Sequence, residues 1–140
     1  MARDTAIILA AAGRSRRFGQ PFLKKVFATL GGKPVWQHSA AMFADHPAVI
    51  QQILVIHPDD RELVRQKYAA TIAMMGIELV LGGDERWQSV ENALAKVSPE
   101  VALIAVHDAA RANIAVSDFD QVLQAARQFG ADILGEPLHG

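Results

Sequence analysis

Three short stretches bring together residue types that could do chemistry. The first is Ala11-Ala12-Gly13-Arg14-Ser15-Arg16-Arg17-Phe18-Gly19, followed by Lys24-Lys25. Small residues let backbone N–H groups approach a phosphate, and the Arg and Lys side chains supply opposing charge. It is not a Walker loop, because no Gly-Lys-Ser/Thr occurs, and Ser15 and Phe18 stand where a dinucleotide fingerprint has its second and third glycines. The alternative is a basic surface loop or an RNA-contacting patch. The second stretch is Gly82-Gly83-Asp84-Glu85-Arg86-Trp87-Gln88-Ser89-Val90. Two glycines, an Arg and a Ser at a strand-to-helix junction could hold a base or a phosphate; the plainer reading is a turn with Asp84 as helix cap. The third is His107-Asp108-Ala109-Ala110-Arg111. A carboxylate ending a buried strand is well placed to hold Mg²⁺ against phosphate oxygens, and the alternative is an Asp that caps the next turn or pairs with Arg111. His107 reads as an oriented or packed residue rather than a ligand. Trp36, Trp87 and the methionines read as packing residues.

These stretches need elements to position them, and the pattern alternates strand and helix. Thr5–Ala11 is a nearly all-apolar run, as expected of a strand buried on both faces. Pro34 suits the first turn of a helix reaching about Ala44. A strand follows over Ile50–His57, then a helix capped by Asp59 or Asp60 through about Ala73, stopped by Gly76. Ile77–Leu81 predicts a third strand, Glu85 to Val97 a helix, and Val101–His107 a fourth strand. Ser117-Asp118-Phe119-Asp120 approximates a capping box for a helix to Phe129 with Gly130 as its stop, and Ala131–Gly135 predicts a fifth strand. Strands alternating with helices imply βαβ units and a mostly parallel sheet, with ligands at the carboxyl ends of its strands. Pro137-Leu138-His139-Gly140 follows the last strand without a closing helix, so the single domain over 1–140 is expected to be incomplete at its C-terminal end.

Composition narrows the classes. A chain of 140 residues can bury a core without metal or disulfide staples, and with no cysteine it excludes thiol catalysis and Cys-type zinc sites. The five histidines show no zinc-ligand spacing. No apolar run approaches a membrane span, and the N-terminus lacks a signal-peptide cleavage pattern. A formal net charge of −1 argues against a general nucleic-acid binder. Yet from Gly13 through Lys33 there are six basic residues and no acidic one, which suggests a compact anionic ligand.

Taken together the three stretches resemble the methylerythritol phosphate cytidylyltransferases of the nucleotidyltransferase group. The resemblance is carried by Ala11-Ala12-Gly13 with Arg17 and Lys24, by Gly83-Asp84-Glu85-Arg86 with Ser89-Val90, and by Val106-His107-Asp108-Ala109-Ala110-Arg111; Gly32-Lys33-Pro34 and Gln37-His38-Ser39 also fit. It implies a Rossmann-like, doubly wound, mostly parallel α/β sheet. It implies that backbone at Ala11, Ala12 and Gly13 holds CTP, that Arg17 and Lys24 stabilise the transition state, and that Gly83, Asp84 and Ser89 surround cytosine and ribose. Asp108 would bind Mg²⁺, while Ala109 and Arg111 would lie toward a polyol phosphate. The implied protein is a cytoplasmic homodimer acting on CTP and methylerythritol phosphate in isoprenoid precursor synthesis. Ribitol phosphate as acceptor, or a degenerate module that binds nucleotide without turnover, are the alternatives. Three residues depart from the family pattern: Ser15 for Gly, Leu23 for Pro before the Lys, and Ala112 for Pro after the Arg.

Overall fold

The computed structural model describes residues 3–13 and 25–129. Four strands form one sheet: β1 (Thr5–Ala11), β4 (Val49–Ile56), β5 (Glu78–Leu81) and β6 (Leu103–Asp108). Their order is β5-β4-β1-β6, and every pairing is parallel. Four helices connect or follow them: α1 (Val35–Ala44), α2 (Arg61–Met74), α3 (Arg86–Leu94) and α4 (Val116–Phe129). A short antiparallel hairpin, β2 (Thr29–Leu30) with β3 (Lys33–Pro34), precedes α1. The chain builds outward from β1 to β4 and β5, then returns through α3 to place β6 on β1's free side. That reversal between β1 and β6 is a topological switch point, where open α/β sheets take their ligands.

The apolar alternation of β1 divides the core in two. Ile7, Leu9 and Ala11 face Trp36, Ala40 and Phe43 of α1, Val64 and Ile72 of α2, and Phe119, Leu123 and Ala126 of α4. Ile8 faces the other way, with Ile53, Val55, Val80 and Ala93 of α3. Both faces are covered, so the sheet is doubly wound, and β1 is buried along nearly its whole length. The Arg127 guanidinium donates to both oxygens of Asp4 at 2.8 and 2.9 Å, which ties α4 to the start of β1 and holds the Asp4 carboxyl below its ordinary range.

Local chemistry explains where the elements differ from the sequence expectations. Pro34 is the residue before α1 rather than in its first turn. Gly31 and Gly32, at φ 62° and 83°, supply the two left-handed residues of a tight hairpin turn, which the sequence reading passed over. Asp60 stands at the N-cap of α2, as expected, without a side-chain cap bond; the Nδ1 of His57 accepts the Asp59 N–H at 3.0 Å and caps the short turn Pro58–Asp60 that leads into the helix. Gly76, at φ 68°, stops that helix as expected. Helix α3 begins at Arg86 with Glu85, not Asp84, before it, and Gln88 Oε1 accepts the Glu85 N–H at 2.9 Å. It ends at Leu94, three residues short of Val97. Helix α4 starts at Val116, with the Asp118 and Phe119 N–H groups on the Ala115 carbonyl, so Ser117 lies inside its first turn rather than at a cap. Two assigned packing residues are exposed: Trp87, 63%, and Met74, 87%. Trp87 stands two residues from Ser89, which α3 buries, and so projects from nearly the opposite side of the helix. Gly130 and the fifth strand, Ala131–Gly135, lie outside the described residues.

Phe119 anchors α4. It is fully buried, with its ring 4.9 Å from those of both Phe43 and His46 in edge-to-face geometry. Beside it, His46 is satisfied on both nitrogens: Nε2 donates to Asp120 Oδ1 and Nδ1 accepts from Ala48 N–H. Phe119→Ala should therefore destabilise the fold by about 3–5 kcal/mol, measured as a lowered urea midpoint with unchanged slope.

Candidate functional site

The carboxyl ends of β1, β5 and β6 bring residues 11–13 of the first stretch, together with the second and third stretches, to one edge of the sheet. A cleft of about 240 Å³ opens there, on the face covered by α3. Ala12 and Gly13 form one wall, Gly83, Asp84, Glu85, Arg86, Ser89 and Val90 the other, and Ile8, Ala10 and Val55 the floor. The first and second stretches, 70 residues apart, thus face each other across one space (Gly13 to Gly83).

The glycines are explained by contact. A Cβ on Gly82 would lie 2.4 Å from Ser89 Oγ and 2.7 Å from the Ala12 Cβ, so only glycine lets β5 end this close to both β1 and α3. Gly83 is similarly pressed, with a would-be Cβ 2.6 Å from the Gln88 Cβ. Its N–H donates to Ser89 Oγ at 3.1 Å, which closes the turn across the start of α3. Asn92 Nδ2 reaches back to the Leu81 carbonyl at 3.1 Å. The turn is therefore held from α3 at both ends.

Strand alternation separates the remaining residues. In the β1–β6 ladder Ala10 pairs with Asp108, so Asp108 shares the cleft face with Ala10 and Ile8. Its Oδ1 accepts the Ala110 N–H at 3.0 Å, the turn-capping role weighed from sequence. Asp108 is exposed at the strand end. His107 points through the sheet into the α1 side, 2% exposed, with its ring 5.2 Å from that of Phe43. Its Nε2 donates to the Arg111 carbonyl at 2.8 Å, which fixes the tautomer; Nδ1 has no partner among the described residues. Burial, the largest effect on it, pushes the His107 pKa below its ordinary value.

Other assignments fall on the core side. Ala11 and Ala109 belong to the α1-side core, so only their backbone could serve a ligand. The Ala109 N–H is already given to the Ala10 carbonyl at 3.0 Å. Arg111 is exposed, its N–H on the Asp108 carbonyl at 3.0 Å. Arg17 and Lys24, assigned to catalysis, and Ser15 and Leu23, two of the departures, lie outside the described residues. Arg86, absent from the expected site residues, also lines the cleft; its place in the Gly83-Asp84-Glu85-Arg86 block was the available signal.

As a metal site, the described residues offer no cluster of three acidic or histidine side chains. A lone exposed carboxylate at a strand end suits Mg²⁺ in the manner of nucleotide enzymes, where phosphates and waters complete the shell and the protein gives one or two oxygens. Asp108 fits that role.

A family profile described as IspD, 2-C-methyl-D-erythritol 4-phosphate cytidylyltransferase, matches residues 5–139. The chain belongs to this family. Among curated relatives, the 2-C-methyl-D-erythritol 4-phosphate cytidylyltransferase of Rhodopirellula baltica is 37% identical over 99% of this chain and 61% of its own length. That of Endomicrobium trichonymphae is 40% identical over 86% of this chain and 52% of its own. The chain of this IspD family member thus spans about half to three-fifths of the relatives it matches. The fold agrees with solved IspD structures: the 4-diphosphocytidyl-2C-methyl-D-erythritol synthase of Anaerococcus prevotii superposes with TM-score 0.71 at 22% identity, covering 90% of this chain and 52% of that one.

Two measurements probe this geometry. Gly82→Ala should cost about 1–3 kcal/mol by forcing Ser89 and Ala12 apart, seen as a lowered denaturation midpoint. His107 generates a pH dependence. Its folded pKa lies below the ordinary 6.5, so between those two values the unfolded chain binds more protons than the folded one. Stability should fall as pH drops below about 6.5 and level off beneath the folded pKa. Urea titrations between pH 5 and 8 should show this slope in the wild type and a shallower one in His107→Asn.

Proposed function

We propose that this chain supplies the CTP-binding part of a 2-C-methyl-D-erythritol 4-phosphate cytidylyltransferase, which transfers CMP from CTP to the acceptor and releases pyrophosphate. The observation that carries the reading is the shared cleft, with Ala12-Gly13 on one wall, Gly83–Ser89 on the other, and Asp108 beside its floor. In a chain of this family, that arrangement separates a phosphate end from a base end.

The reaction is an in-line attack by an acceptor phosphate oxygen on the α-phosphorus of CTP. Both reactants are anions, so the protein must hold them against their repulsion and neutralise charge as it builds at phosphorus. Backbone at Ala12 and Gly13 takes the triphosphate. The Gly83–Ser89 turn, rigid through its bond to Ser89 Oγ, takes cytosine and ribose. Arg111 faces the acceptor. By resemblance, Arg17 and Lys24 bring cations to the α-phosphate. Bound Mg²⁺, held by Asp108, would offset charge on the phosphate oxygens. A phosphate nucleophile carries its own charge, so no general base and no covalent enzyme intermediate are needed. The homodimer and the cytoplasmic setting implied by the family resemblance belong to the same proposal. No described helix is long and apolar enough to cross a membrane.

CTP with Mg²⁺ should raise the Tm of the chain more than ATP or GTP does. At about a hundred times its Kd, a ligand of the folded state adds about 2.7 kcal/mol, roughly 8 °C for a domain of this size. Equal shifts with every nucleotide would leave only a phosphate site. Asp108→Asn should keep the fold, since Asn retains the shape and the turn bond, yet weaken the Mg²⁺-dependent part of CTP binding in calorimetric titration. An unchanged affinity would reduce Asp108 to a turn cap.

A further inference from the structure

The loop that follows β6 is pinned on every side. Ala109 N–H binds the Ala10 carbonyl, Ala110 N–H binds Asp108 Oδ1, and Arg111 N–H binds the Asp108 carbonyl, each at 3.0 Å. Its last carbonyl, that of Arg111, takes two donors from buried side chains on different elements. Ser39 Oγ, fully buried on α1, lies 2.9 Å from it, and His107 Nε2, on β6, 2.8 Å. Ser39 Oγ also lies 3.4 Å from the Ala109 carbonyl. Neither Ser39 nor His107 lines the cleft. A core serine and a core histidine converging on one loop carbonyl are costly to bury unless that carbonyl must be held.

We propose that Ser39 and His107 are positioning residues that clamp the Arg111 carbonyl and so fix the directions in which the Asp108 carboxylate and the Arg111 side chain leave the turn. The clamp works from the α1 side of the sheet, while Asp108 acts on the α3 side. Its functional consequence rests on the reading of Asp108 as the Mg²⁺ carboxylate. Outer groups that orient a metal ligand characteristically set metal affinity without touching the metal.

The test uses the whole chain, with Ser39→Ala as the probe and Ile72→Val as the control. Ile72 is a buried residue of α2 in the same core cluster, and its truncation costs stability without touching the turn. Hydrogen exchange at the Ala109, Ala110 and Arg111 amides should quicken about fivefold in Ser39→Ala, the effect of one lost hydrogen bond, and stay unchanged in Ile72→Val. Calorimetric titration should show metal-free CTP affinity unaltered in Ser39→Ala and the gain on adding Mg²⁺ reduced about tenfold. Unchanged exchange at the three amides, or equal quickening in the control, overturns the clamp. So does a Ser39→Ala variant that keeps the full Mg²⁺ gain while Asp108→Asn loses it. If Asp108→Asn also keeps that gain, the metal reading of Asp108 is what has failed, and the exchange data alone then decide the clamp.

Discussion

Two backbone hydrogen bonds govern the geometry of the site. The Gly82 N–H reaches the Ile56 carbonyl at 2.7 Å, and the Ala109 N–H reaches the Ala10 carbonyl at 3.0 Å. Each is one rung of the parallel ladder carried a residue past the end of its strand. The loops after β5 and β6 therefore leave the sheet with their first amide still tethered to a neighbouring strand. That tether explains how loops, ordinarily the mobile parts of a domain, can present fixed groups. It also requires parallel strands in register, which is why the Ala10–Asp108 and Ile56–Leu81 pairings matter to chemistry as well as to packing.

With the strand ends fixed, alternation assigns each residue a side. Ala11 goes to the core and Ala12 to the cleft; His107 goes to the core and Asp108 to the cleft face. Adjacent residues therefore do unrelated work, and a one-residue slip of β6 would exchange the carboxylate for an imidazole. The small residues follow from the same constraint. Ala10, Ala12 and Gly13 line a cleft that larger side chains would fill, and Gly82 permits an approach that any Cβ would block.

Much of this was legible in the sequence because it is periodic. The two-faced burial of Thr5–Ala11, the alternation of strands with helices and the site at the strand ends follow from apolar runs punctuated by Gly and Pro. Helix starts were less legible. Asp59, Asp60, Asp84 and Ser117 are all good capping types, yet Asp60 stands before α2 without a side-chain cap bond, Glu85 with Gln88 caps α3, and α4 starts two residues earlier than a Ser117 cap would place it. Capping depends on the direction in which the chain arrives, which the sheet decides. The Gly31-Gly32 hairpin lay hidden in a stretch read for its charge. Ser39 could not be read as a partner of Arg111 at all. The two are 72 residues apart, and a serine inside a helix carries no sign of what it meets across a core.

His107 shows what the fold gives up for the site. An apolar residue of similar size at that position would pack against Phe43 without leaving a ring nitrogen that has no partner among the described residues, and burying an unpaired acceptor costs about 1–3 kcal/mol. The same replacement would, however, strip one donor from the Arg111 carbonyl and leave Ser39 alone to hold it. The imidazole resolves this by being neutral. Burial keeps it uncharged in the core, where an imidazolium would be far more costly, and in that state it still has one N–H to give. A lysine or arginine could also donate there, but would bring a full charge into the core that packs against α1. A serine or asparagine would not span the distance with a rigid ring. The last residue but one of this buried strand, which must reach across to its own loop, is therefore one with a flat apolar body and a single donor at its tip.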